Sequence, residues 1–159
     1  MDISIIIKLF VTFLLSSIFG YERQKSNKHV GFGTFIFVAI GACTLSIIAL
    51  NFDAENPTSL IAAIITGIGF LGAGALIRGG DKVFGFTSAA TIWAFAVFGV
   101  AIGIGDYFLG LSLYSFIWII VLFDKYLERE GVGSYRTKLI IKTKGLVEEI
   151  KVRDFLNSV

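Results

Sequence analysis

Five long apolar stretches, at about residues 3–20, 32–52, 59–77, 86–104 and 107–123, occupy most of this 159-residue chain. Each approaches the ~20 residues that carry an α-helix across the hydrocarbon core of a bilayer, the last being near the short end. Only 16% of the residues are charged and 55% are hydrophobic, whereas a soluble domain carries roughly 25% charged residues. The predicted fold is therefore an all-α membrane protein of five transmembrane helices, with a membrane domain at 1–125 and a short tail at 126–159. The first stretch is read as a retained helix: it lacks a basic leader, and Phe19-Gly20-Tyr21 is a poor small-x-small cleavage site.

The charges between the stretches set an expected orientation. The first connection carries Arg23, Lys25 and Lys28 against Glu22, and the second carries Asp53 and Glu55 without a basic residue. The third has Arg78 and Lys82, and the segment after Phe123 has Lys125, Arg129, Arg136 and Lys138. Basic residues thus alternate with the membrane side. By the positive-inside rule the N-terminus is expected outside and the C-terminus in the cytoplasm. Lys8, near the outer end of the first span, is expected to snorkel to the interface.

Within the third stretch, Gly67, Gly69 and Gly72 form the pattern G-x-G-x-x-G. In a soluble βαβ unit that pattern cradles a dinucleotide, with an acidic residue about 20 positions later for the ribose. Here the glycines lie mid-span, and the region near position 90 reads Thr87-Ser88-Ala89-Ala90-Thr91-Ile92-Trp93, without a carboxylate. A phosphate-binding backbone at that depth would leave amides unsatisfied in lipid. No cofactor is expected. On a helical wheel Gly67 and Gly74 fall on one side, with Gly69, Gly72 and Ala73 on the other. The third span is therefore expected to be central, with close neighbours on both faces. Thr12, Ser16 and Gly20 on the first span, and Gly99 with Gly103 on the fourth, offer further small surfaces. The fifth span is bulkier and is expected at the periphery.

Val30 to Thr34, "VGFGT", and Val83 to Ser88, "VFGFTS", share Gly-Phe-x-[Ser/Thr]. Two parallel helical hairpins, spans 1–2 and 3–4, would explain this echo, and so would the common preference for glycine and hydroxyl residues at helix starts. Polar residues concentrate on the expected cytoplasmic side: Glu22, Arg23, Arg78, Asp81, Thr87, Ser88 and Thr91. These form the candidate functional cluster, since ionisable groups at such depths are seldom idle. No Asp, Glu or His lies mid-span, where a pathway for Mg²⁺ would need oxygen ligands; the identity of any metal stays open. Cys43 is alone and His29 is the only histidine, which argues against disulfides, zinc clusters and catalytic triads, and no enzymatic activity is expected. A pI near 8.7 is attributed to basic loops facing anionic lipid, not nucleic acid. In the tail, 136–144 reads as a short strand and the residues after Gly145 as a helix, too few to bury a core of their own.

Together, "GYERQ" closing the first span, "ITGIGFLGAGALIRGG" through the third and "GFTSAATIWA" opening the fourth resemble the MgtC/SapB family of prokaryotic membrane proteins. The resemblance covers about residues 10 to 123. It implies a multi-pass protein of the prokaryotic inner membrane, linked to growth in low magnesium and to virulence. The role it implies is regulation of a partner membrane complex such as ATP synthase, with homo-oligomers as a further partner class. The alternative is a transporter or channel for Mg²⁺ or another cation. Carried onto this chain, the family's recurrent polar positions are Glu22, Arg23, Arg78, Thr91 and Trp93. Members often read Gly-Leu-Arg-Thr where this chain has Gly31-Phe32-Gly33-Thr34, Gly-Leu-Asn-Thr where it has Gly85-Phe86-Thr87-Ser88, and Glu at the position of Gly79. Long-tailed members carry a cytoplasmic ACT-like domain, of which the tail here resembles the first strand and helix.

Overall fold

The computed structural model describes residues 3–52, 57–79 and 82–130. Five helices follow one another: α1 (Ile3–Lys25), α2 (Phe32–Phe52), α3 (Pro57–Gly74), α4 (Phe86–Ile104) and α5 (Tyr107–Arg129). All five are long and apolar enough to cross a membrane, so the described residues form the five-span all-α protein that the hydropathy predicts. Between α3 and α4 lies a feature the sequence reading leaves as a plain loop. Strands β1 (Ile77–Gly79) and β2 (Lys82–Phe84) pair antiparallel, with Arg78 opposite Val83. The expected strand and helix of the tail lie outside the described residues. The chain divides into two units, Met1–Asp124 and Lys125–Val159, and the packing described below is that of the first.

The helices stop where local chemistry stops them. At the end of α1, Asn27 takes a left-handed conformation (φ 49°). The Asn27 amide then donates to Gln24 O, and the Lys28 amide to Arg23 O. This is the paired closure that satisfies the last carbonyls of a helix. Gly105 (φ 95°) closes α4 in the same way, its amide donating to Ile102 O and that of Asp106 to Ala101 O. Asp106 also starts α5: its Oδ1 accepts from the Leu109 amide at 2.9 Å, a cap on an otherwise orphaned donor.

The centre of the unit is α4, not α3. Of its apolar window 61% is buried, against 11% for α3. Gly99 and Gly103 set α4 against the small face of α2 formed by Ala39, Ala42, Cys43 and Ser46. A Cβ at Gly103 would lie 2.6 Å from Cys43 O, and one at Gly99 would run into Ala39 O. The first helix joins this pair through Thr12, Ser16 and Gly20, all buried; a Cβ at Gly20 would stand 2.6 Å from Phe32 O. The expected central role of the third span is thereby corrected. A Cβ at Gly67, Gly69 or Gly74 would meet nothing within 4 Å, and only Gly72 touches a neighbour, at 3.4 Å from Ala89 O. Glycines make an interface only where the chain returns a matching small face, and that face lies on α2 opposite α4. The fifth helix is peripheral as expected, except at Gly110, where a Cβ would sit 2.5 Å from Ile102 Cδ1.

An aromatic cluster fills the space between α1, α2, α4 and α5. Phe19 meets Phe35, Phe95 and Trp118 with ring centroids 5.1, 4.6 and 5.4 Å apart. Tyr114 packs on Phe98, and its hydroxyl donates to Leu15 O at 3.1 Å. Such edge-on and tilted pairs add to plain area burial. Along α1 the hydroxyls of Thr12 and Ser16 bond back to Lys8 O and Thr12 O.

Candidate functional site

Charged and hydroxyl side chains gather where α1 ends and α2 and α4 begin, called here the Arg23 end. Arg23 is 1% exposed, the largest of the fully buried side chains. A guanidinium cannot shed its charge, so burial is tolerated only with hydrogen-bonding partners around it. One is Ser88 in the first turn of α4, whose Oγ accepts from Arg23 Nη2 at 3.1 Å. This bond joins two candidate residues 65 positions apart. It is set up from both sides by local structure. The closure at Asn27 fixes the last turn of α1, and Gln24 Oε1 accepts from the Phe32 amide at 3.2 Å, capping α2 from the preceding helix. On the other side Gly85, with φ 99°, starts α4 without a side-chain cap. A Cβ there would lie 2.7 Å from Ala75 O, so the end of α3 and the start of α4 can meet this closely only at a glycine.

The other candidates take distinct places. Glu22 is half-buried, with Oε1 accepting from Ser26 Oγ at 2.6 Å. Thr87 is exposed, while Thr91, one turn on, is buried and donates its hydroxyl to Thr87 O. Arg78 lies on β1, which brings its backbone to this same end; Asp81 lies outside the described residues. Trp93 is 47% exposed on the flank of α4. Among the described residues no group of three or more His, Cys, Asp or Glu converges as a metal site would require.

At the opposite end the structure revises the reading of Lys8. Its ammonium donates to Gly103 O at 2.8 Å, reaching the last turn of α4, where helix carbonyls are short of donors and the dipole favours a cation. Lys8 is a clasp between α1 and α4 as well as a residue near a span end. Sequence reasoning missed this pairing because the two residues are 95 positions apart. The available signal was that Gly105-Asp106 ends α4 level with the start of α1.

Five spanning helices, a closely packed α1–α2–α4 core and a buried arginine held across it define a multi-pass membrane protein. The chain belongs to the MgtC family, whose sequence model matches residues 9–130. It is 34% identical over 166 residues to Protein SapB of Bacillus subtilis, covering 98% of this chain and 72% of that protein. Protein MgtC of Salmonella typhimurium is 37% identical over 102 residues, 64% of this chain and 44% of that protein. For Protein MgtC of Brucella abortus the identity is 40% over 94 residues, covering 58% of this chain and 40% of that protein. The chain thus spans less than half the length of the MgtC relatives. No solved structure matches it.

Proposed function

We propose that this protein is a regulator in the adaptation to low Mg²⁺, acting by contact between its Arg23 end and a partner membrane complex such as ATP synthase. The observation that carries the reading is the asymmetry of the bundle. Arg23, Ser88, Glu22 and Thr91 form a structured polar end, and exposed Tyr21 and Thr87 lie beside it. The five apolar stretches themselves contain no Asp or Glu. Mg²⁺ holds its hydration shell tightly and exchanges it for oxygen ligands, usually carboxylates. A polar end without carboxylates further along the spans suits recognition of a protein surface better than passage of that ion.

The test pairs two measurements. Purified protein in sealed liposomes is expected to leave Mg²⁺ entry at the rate of protein-free controls. In cells, Glu22→Gln or Arg78→Gln is expected to abolish the growth effect in low Mg²⁺. Saturable Mg²⁺ flux that falls with the same substitutions refutes the regulatory reading in favour of transport.

A further inference from the structure

A cavity of about 300 Å³ opens where α1 starts and α2 and α4 end, opposite the Arg23 end of the bundle. Ser4 and Lys8 line it from α1, Asn51 from α2 and Gly103 from α4. Ser4 and Lys8 are four residues apart, so their side chains share one face of α1. An ammonium has three N–H donors and no acceptor. That of half-buried Lys8 donates once, to Gly103 O at 2.8 Å, which leaves two donors over. Among the described residues no carboxylate pairs with Lys8, and neither the Ser4 hydroxyl nor the Asn51 side-chain amide makes a hydrogen bond. The cavity therefore gathers one positive charge and a set of unengaged donors beside the apolar side chains of Ile5, Ile47 and Leu50.

Charge and donor count decide what such a cavity takes. A second cation would be repelled by the ammonium, and a wholly apolar molecule would strand its remaining N–H groups. A singly charged oxyanion meets the whole set. It balances the one charge, and its oxygens accept from Lys8, Ser4 and Asn51, the bonds from Lys8 being charge-assisted and so among the stronger ones. Depth selects among oxyanions. The ends of spanning helices stand at the edge of a hydrocarbon core about 30 Å thick, which is where phospholipids carry their phosphodiester groups and where an aqueous phosphate can also reach. We infer that the Lys8 cavity is a binding site for a phosphate oxyanion, held by Lys8 together with Ser4 and Asn51. The inference is independent of the proposed function, whose surface lies at the other end of the bundle.

Native mass spectrometry of the full chain, released from micelles containing phosphatidylglycerol or diacylglycerol, tests it. The chain is expected to hold one phosphatidylglycerol at several times the occupancy of diacylglycerol, which lacks the phosphate. Asn51→Asp sets a carboxylate at the exposed rim while keeping Lys8 itself, and is expected to remove the excess. Lys8→Gln is expected to do the same, and Lys8→Arg to retain it. Lys25→Gln, exposed at the other end of α1, should leave it unchanged. Helical circular dichroism confirms that each variant is folded. Two arms distinguish the sources of the phosphate. An excess that survives millimolar inorganic phosphate assigns the site to a lipid phosphodiester. Displacement by inorganic phosphate, with phosphorus NMR line broadening that Asn51→Asp abolishes, assigns it to the free ion. Equal occupancy by the two lipids without such broadening overturns the site. So does an excess that persists in folded Asn51→Asp or Lys8→Gln, or one that Lys25→Gln removes equally.

Discussion

Placing a methyl group at Gly103 or at Gly69 makes the same chemical change on two spanning helices, yet the structure assigns the two opposite signs. At Gly103 the new Cβ would lie 2.6 Å from Cys43 O and 3.2 Å from Cys43 Cα. Ordinary C···O contacts begin near 3.3 Å, so α2 and α4 must part locally by about 0.7 Å. Ser46 Oγ stands nearer still and must rotate away, but the two Cys43 atoms are backbone of α2 and cannot. A gap of 0.5–1 Å forfeits about a quarter to a half of each dispersion contact, and α2–α4 is the most extensive helix pair of the unit. Overpacking of this kind costs about 1–3 kcal/mol. At Gly69 the Cβ meets nothing within 4 Å, and replacing a mid-helix glycine by alanine stabilises a helix by roughly 0.5–1 kcal/mol. The propensity gain is common to both substitutions, so Gly103→Ala and Gly69→Ala are expected to differ by the overpacking cost, about 1–3 kcal/mol. Reversible unfolding in mixed micelles, followed by helical circular dichroism, measures both. Equal destabilisation by the two variants would refute the assignment of α4 as the packing hub.

Gly110→Ala should fall between those two, because the obstacle is the Ile102 side-chain tip, though Ile102 is itself fully buried; the same unfolding series ranks it. Lys8→Met should lose the bond to Gly103 O and about 1.5–3 kcal/mol with it, the usual range for hydrogen bonds to charged groups; Lys8→Arg should recover part of that. Ser88→Ala removes an acceptor from buried Arg23 and is expected to cost about 1–3 kcal/mol, whereas Thr87→Ala, at an exposed neighbour, should stay within about 0.5 kcal/mol. For orientation, a reporter active only outside the cytoplasm should work when fused after Glu55 and fail after Gly131; the reverse would overturn the topology drawn from the loop charges.

Hydropathy alone located the five spans to within a few residues, because a bilayer demands helices of nearly fixed length. Their ends were less legible: Lys25 and Arg129 extend α1 and α5 past the apolar windows, since a helix continues into the interface wherever its caps allow. The helical wheel of α3 located its glycines correctly relative to one another, but a wheel carries no information about the neighbour. Gly67 and Gly69 consequently face open space while Gly99 and Gly103 meet the small face of α2. The polar end was readable from Glu22, Arg23, Ser88 and Thr91 as a cluster in sequence terms. That Arg23 would be buried against Ser88 was not, because the bond joins residues 65 positions apart and the local Asn27 closure and left-handed Gly85 that set it up do not announce it. The β1–β2 hairpin also escaped: three-residue strands around Gly79 leave almost no periodic signal.

The claim that the Arg23 end is the working surface is tested most directly by site-specific photocrosslinking in cells grown at low Mg²⁺. A photoreactive amino acid replaces Tyr21 or Thr87 at that end, and Phe108 at the opposite end of the bundle; all three positions are exposed. Probing with antibodies to ATP synthase subunits, the account predicts crosslinked products from positions 21 and 87 and none from 108, with the products lost in the Arg78→Gln background. Crosslinks from position 108 alone, or products from 21 and 87 that persist unchanged in that background, would contradict it.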